Sequence, residues 1–182
     1  MRQKHWTKLA VGGLALVLAS LFVLHRSAPP LAGPAHFGTG LHRVAYVYDG
    51  DTIKLDNGER VRFIGIDAPE AHENEKLLRD VRRRHSNGQT QLAMGREAAR
   101  FARSLLDGQQ VRLEFDVEQR DKYGRLLAYL YLPNGTFVNE KIIREGYAYP
   151  LTIPPNVRHA REFKRWFDEA REAKRGLWSN EK

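Results

Sequence analysis

The 182-residue chain contains no cysteine. Disulfides, zinc–thiolate centres and thiol nucleophiles are therefore excluded. That absence does not identify a compartment. Acid is also missing from the first 48 residues, where Arg2, Lys4, Lys8, Arg26 and Arg43 are all basic. The seven histidines are scattered, and none has the spacing of a zinc site. No internal repeat is present, which excludes a solenoid or a propeller.

What is present is an ordinary globular composition, 42% apolar, with a net charge of +8. Setting aside the four basic residues up to position 26 leaves 26 basic against 22 acidic residues. A mildly basic domain suits an anionic partner without naming one.

The N-terminus points to a compartment. Met1 to Lys8 is short and basic, and Leu9 to Leu24 is a sixteen-residue apolar run ended by His25 and Arg26. As a helix it spans about 24 Å, slightly short of a hydrocarbon core of about 30 Å. It is also long for a secretion-signal core of about 7–15 residues. No face of the run is polar, so a buried soluble helix fits poorly. Residues 1–26 read as an uncleaved signal anchor or as a cleaved signal peptide. Prolines crowd the cleavage points that follow, which favours the anchor. Either way the domain faces outward, to the periplasm or cell exterior, or is secreted. If the run is retained, residues 9–24 hold the chain to the membrane.

Residues 27–40 are rich in Pro, Gly and Ala and read as a linker, so the folded domain is expected over 41–182. Strand signals dominate its start. His42 to Tyr48 alternates, with Val44, Tyr46 and Tyr48 on one face. Thr52 to Leu55 and Arg60 to Ile66 flank Asp56-Asn57-Gly58-Glu59, whose Asn-Gly pair suits a tight hairpin. Residues 71–94 are polar, carry Arg82-Arg83-Arg84, and read as a loop with a helical turn around Glu75 to Arg83. Ala98, Phe101, Ala102, Leu105 and Leu106 then mark an amphipathic helix from about Arg96 to Leu106. Gln110 to Phe115 and Leu126 to Leu132 read as strands, and Val138 to Glu145 as a short helix. A last helix carries Val157, Ala160, Phe163, Phe167, Ala170 and Ala173, and Leu177 and Trp178 fold back onto it. The fold class is mainly β with helices: five short strands in a small barrel closed by helices.

Two clusters carry chemistry. The first runs from Asp49-Gly50-Asp51-Thr52 to Arg62 through Glu70, and the second is Asp121-Lys122-Tyr123-Gly124-Arg125. Asp51 opens one strand and Asp67 closes the next, so a hairpin brings both to one end, with Glu70 just beyond. Three crowded carboxylates repel unless a cation sits between them. Hard oxygen ligands favour calcium or magnesium, and flexible ligands from strand ends favour calcium. Asp49 reads as a turn residue. A cation beside Arg62 and Arg125 makes a phosphate site, because guanidinium forks match phosphate oxygens in pairs. Strand alternation, however, points Arg62 away from Asp67, five residues on. Singly, each motif is an ordinary turn or strand end.

Together, with Ala128-Tyr129, Val138-Asn139-Glu140, Gly146-Tyr147-Ala148 and Gly176-Leu177-Trp178, they resemble the staphylococcal (micrococcal) nuclease family, or thermonuclease-like domains, from about Leu41 to Trp178. The resemblance implies an OB-fold barrel with three α-helices that hydrolyses DNA and RNA with calcium and leaves 3′-phosphate ends. It implies Asp51, Asp67 and the backbone carbonyl of Ala68 as metal ligands. It implies catalytic roles for Arg62, Glu70 and Arg125, with Glu70 acting through water as general base or as the group that positions it. Lys122 and Tyr123 would bind substrate beside the nucleotide's phosphate. A monomer is expected. Three departures stand out: Ala68 replaces a threonine, the stretch after Glu70 is longer and bears the triple arginine, and Tyr149 to Thr152 lacks the nucleotide-stacking tyrosine pattern. Tyr123 is then the one stacking candidate. The alternatives are a non-catalytic nucleic-acid-binding module or a scaffold domain on a membrane tether. The presence of all five key residues argues against lost catalysis.

Overall fold

The computed structural model describes residues 36–37, 40–84 and 87–179, excepting the side chains of 36, 37, 83 and 84. Residues 1–26, read from the sequence as a signal anchor or signal peptide, lie outside them. Among the described residues no helix is long and apolar enough to cross a membrane. Five strands close the barrel: β2 (His42–Val47), β3 (Thr52–Leu55), β4 (Arg60–Phe63), β6 (Gln110–Phe115) and β7 (Leu126–Tyr131). β2, β3 and β4 form an antiparallel meander, β4 pairs β7 in parallel, and β6 joins β7 and β2 to shut the ring. This is the expected OB-type barrel. Two residues of the linker stretch add to it, since β1 (His36–Phe37) pairs with β6. A second small sheet pairs β5 (Gly65–Asp67) with β8 (Tyr149–Leu151).

Four helices surround the barrel, one more than the three expected: α1 (Glu75–Arg84), α2 (Gly88–Leu106), α3 (Val138–Arg144) and α4 (Ala160–Glu172). The stretch read as a loop with a helical turn around Glu75 to Arg83 is therefore largely helical: that turn is α1, and α2 starts at Gly88, well before the expected Arg96. Asn74 Oδ1 accepts from Leu77 N at 2.8 Å at the start of α1. Asn87, in an Asn-Gly pair of the kind common in turns, is the N-cap of α2 and accepts from Gln89 N at 2.7 Å. Asparagine serves both purposes, and only the residues that follow distinguish them.

Alternation fails twice in instructive ways. In β2 the register shifts between Val44 and Tyr46, so Val47 turns inward and Tyr46 is left 48% exposed. A bulge of this kind reverses the facing of every residue beyond it. The Arg60 to Ile66 segment is broken at Ile64, and Gly65 takes φ +83° beneath the Phe163 ring. A side chain at Gly65 would collide with that ring and strain the backbone. The β3–β4 turn also differs from the tight form. Only Gly58 has positive φ, Gly58 N donates to Leu55 O (3.0 Å), and Leu55 N donates to Glu59 O (2.9 Å).

The core fills the barrel with Ile53, Leu55, Val61, Phe63, Leu113 and Leu130, and extends to Ile142, Ile143 and Phe163 on the covering helices. Buried Asn139 bridges the two layers. Its Nδ2 donates to Ile64 O and its Oδ1 accepts from Leu130 N, both at 2.9 Å. The C-terminal turn folds back as expected, with Trp178 buried against Tyr149 and Phe167.

Candidate active site

The break at Ile64–Gly65 makes the site. The turn there restarts the alternation, so Arg62 and Asp67, separated by five residues, face each other. The expectation that Arg62 points away from Asp67 is thereby corrected. Arg62 Nη1 lies 3.2 Å from Asp51 Oδ2, and Nη2 lies 3.2 Å from Asp67 Oδ1. Nη1 also donates to Phe63 O (3.0 Å) and Ile66 O (2.8 Å), which uses both of its hydrogens. The guanidinium is buried. Burial works against its charge, but Asp51, Asp67, Asp49 and Glu70 outweigh that and hold its pKa above the ordinary value.

Asp51 is held from several sides. Its Oδ2 accepts from Ala68 N at 2.6 Å, and its Oδ1 from the Thr52 hydroxyl at 3.0 Å. The first contact locks the end of β5 to the start of β3, the closeness expected of Asp51 and Asp67. Asp49 Oδ1 accepts from Asp51 N at 3.0 Å, in keeping with a turn residue. Burial pushes the Asp49 carboxyl up to about 8, and the neighbouring Asp51 charge adds to the rise.

Glu70 leaves the chain just past Pro69. Asn74 Nδ2 donates to its Oε2 at 2.6 Å, and Lys76 Nζ meets its Oε1 at 2.7 Å. Lys76, on α1, did not emerge from the sequence. Its ammonium also lies 3.1 Å from Asp67 Oδ1, 3.1 Å from the Ala68 carbonyl and 3.6 Å from Asp80 Oδ2. Burial opposes its charge, yet Asp51, Asp67 and Glu70 raise its pKa well above the usual lysine range. The signal that would have found it is the Asn74 cap, which starts a helix with Lys76 on its first turn.

Across the cleft the second cluster forms a tight loop. Asp121 is its pivot: Oδ1 accepts from Tyr123 N (2.9 Å) and Arg125 N (3.0 Å), and Oδ2 pairs with Arg125 Nε at 2.7 Å. Burial alone would raise the Asp121 pKa, but the Arg125 hydrogen bonds hold it below the ordinary value. Tyr123 is 73% exposed, with Lys122 Nζ 5.1 Å and the Arg125 guanidinium 5.7 Å from its ring centre. One cavity of about 870 Å³ is lined by Asp51, Arg62, Asp67, Glu70, Lys122, Tyr123 and Arg125 alike. The structure thus brings together the candidate side chains of both clusters. The Ala68 carbonyl reaches the Lys76 ammonium, itself part of the lining, and Leu151 and Ile153 add an apolar wall.

Among the described residues, no three acidic or histidine side chains alone form a metal-holding group. The oxygens nearest the Lys76 ammonium are those of Asp67, Glu70 and the Ala68 carbonyl, with Asp80 farther out at 3.6 Å. An all-oxygen set gathered around a positive charge fits calcium or another hard divalent ion.

A closed OB-type barrel with an acidic, arginine-flanked cleft on its side belongs among nucleic-acid-processing enzymes. Known proteins place it more narrowly. Residues 60–180 match the family described as Staphylococcal nuclease homologue. The chain is 32% identical over 177 residues to a thermonuclease of Staphylococcus hyicus, spanning 92% of this chain and 96% of the relative. It is 36% identical over 138 residues to a thermonuclease of Staphylococcus intermedius, spanning 74% of each. It is 33% identical over 136 residues to Endonuclease YncB of Bacillus subtilis (strain 168), spanning 72% of this chain and 58% of that one. The chain belongs to the staphylococcal nuclease family. It is a nuclease, a hydrolase whose substrates are nucleic acids.

Proposed function

We propose that the chain is a calcium-dependent nuclease that cleaves phosphodiester bonds of DNA and RNA outside the cytoplasm and leaves 3′-phosphate ends. The observation that carries this reading is the convergence of Asp67, Ala68 and Glu70 oxygens on one positive charge, in a cleft shared with two arginines. Asp51, Asp67 and the Ala68 carbonyl would hold the ion, with the Ala68 side chain free of any ligating role. Bound there, calcium supplies Lewis-acid polarisation of a phosphoryl oxygen.

The remaining work falls to the chain's own groups. Glu70 takes the proton of the attacking water or holds that water in line with phosphorus. The water oxygen bonds to phosphorus, the bond to the 5′-oxygen breaks, and that oxygen takes a proton from solvent water as it leaves. Arg62 and Arg125 neutralise the charge that grows on the phosphoryl oxygens. Arg125 is pre-aimed by Asp121, which spares reorganisation when substrate binds. Lys122 meets a flanking phosphate, and the exposed Tyr123 ring offers a face on which a base stacks.

The test uses the purified full chain with DNA and with RNA, in calcium or in chelator, and maps the product ends. Cleavage in calcium alone, with ends that resist extension until dephosphorylated, is the expected result. No cleavage with any divalent ion defeats the reading of this site, and 5′-phosphate ends defeat the assigned leaving group. Separation of membrane and soluble fractions, with the mature N-terminus sequenced, tests the outward-facing location and decides between anchor and secretion.

A further inference from the structure

Lys76 meets two of the three groups assigned to the proposed ion, Asp67 and the Ala68 carbonyl. Its Nζ is 2.7 Å from Glu70 Oε1, 3.1 Å from Asp67 Oδ1 and 3.1 Å from the Ala68 carbonyl. These are oxygens that the reading above gives to the metal or to the water beside it. A divalent ion and an ammonium cannot share that space, since like charges at such range repel by several kcal/mol or more. We propose that Lys76 is an internal competitor for the metal site: α1 delivers a cation that fills the oxygen cage in the metal-free protein and must withdraw before calcium enters.

The geometry gives the lysine somewhere to go. Asp80 lies one helical turn further along α1, on the same face, and its carboxylate is 3.6 Å from Nζ. A small change of side-chain torsion transfers the ammonium toward Asp80 with its charge still paired. The lysine side chain retains 30% exposure, so the movement is open to solvent. Asn74 couples this helix to the site directly, because one side chain caps α1 through Leu77 N and holds Glu70 Oε2 at 2.6 Å. The consequence is an enzyme whose calcium threshold is set by a helix outside the barrel. The apparent affinity is lowered by the fraction of molecules in which the lysine has left.

This inference rests on the divalent-ion reading of the site, and its test separates the two. Calorimetric titration of calcium into the full chain and into Lys76→Met should show binding to the variant tighter by about tenfold or more, the factor lost when the competent fraction is a tenth. In chelator, Lys76→Met should melt below the wild type, because the carboxylates lose their cation. In the wild type, acylation of Lys76 by an activated ester, read by mass spectrometry, should accelerate several-fold when calcium saturates. That last measurement needs no variant and stands if Lys76→Met does not fold. Equal or weaker calcium binding by Lys76→Met, or labelling of Lys76 that ignores calcium, overturns the competition while leaving the metal reading intact. Absence of calcium binding by both proteins overturns both.

Discussion

The two walls of the cleft are built on opposite plans. On one side Asp51, Arg62 and Asp67 are each under 10% exposed and tied to one another and to backbone groups of β4, of β5 and of Ala68 just beyond it. On the other, Lys122, Tyr123 and Arg125 stand on a loop whose order comes mainly from one carboxylate, Asp121. The first wall is part of the fold, and its charges are compensated inside the protein. The second is a local device on the surface, in contact with solvent. Damage to the first should therefore cost stability and activity together, whereas damage to the second should cost activity alone.

Arg62→Ala breaks the comparison hardest. It leaves Asp51 and Asp67 buried without their shared guanidinium. Losing one partner of a buried ion pair costs about 3–5 kcal/mol. Urea denaturation of the metal-free protein should report a loss of that size, along with near-complete loss of cleavage. A loss under about 1 kcal/mol, the scale of surface pairs, would mean the wall is not the integrated structure described. Arg125→Ala is the counterpart. Turnover should fall by roughly a hundredfold, the effect of removing a transition-state charge stabiliser, while the denaturation midpoint moves little. Glu70→Gln should match it in rate, since general-base loss is of similar size. Its position between the walls, bonded to Asn74 and Lys76, predicts an intermediate stability change.

Much of the barrel was legible because each strand is short, carries apolar residues at intervals and has Gly, Pro or Asn near at least one end. The carboxylates were legible for a different reason: the β3–β4 hairpin sets Asp51 beside Phe63, only four residues before Asp67, and the turn at Ile64–Gly65 keeps Asp67 at that end. What escaped was set by contacts distant in sequence. The facing of Arg62 depends on a kink at Gly65, and that kink is held by the Phe163 ring and by Asn139 across the layer. α1, read from the sequence only as a helical turn around Glu75 to Arg83, is amphipathic but carries many charges and few apolar residues; a capping asparagine and buried Leu77 hold it. Lys76 followed it out of sight. Tyr46 was misjudged because a one-residue bulge is invisible to a pattern with period two.

Gly95→Ala probes how closely Glu70 is tied to the fold. Helix α2 lies so close to the backbone of Glu70 and Ala71 that a methyl group there would overlap the Glu70 carbonyl. Overpacking of this kind costs about 1–3 kcal/mol. The backbone that must yield carries the catalytic candidate, so kcat should fall together with stability. Retained kcat with lowered stability would show that the helix gives way instead of the Glu70 segment.

The smallest effect is expected on the surface wall and depends on pH. Asp121 has a pKa held below its ordinary 3.8 by the Arg125 hydrogen bonds. A carboxylate with a depressed folded-state pKa contributes stability that is fully present above the unfolded value and is lost as pH falls through the folded one. Partial exposure limits this contribution to under about 1 kcal/mol. Asp121→Asn should therefore be slightly less stable than the wild type at pH 7, with the gap closing as pH drops below about 4. Turnover by the same variant should fall far more than stability does, because Arg125 loses the partner that aims it. A stability loss at pH 7 comparable with that of Arg62→Ala would erase the distinction between the walls. A small loss that vanishes in acid, paired with a large loss of rate, locates the function of Asp121 in orienting a guanidinium toward phosphate.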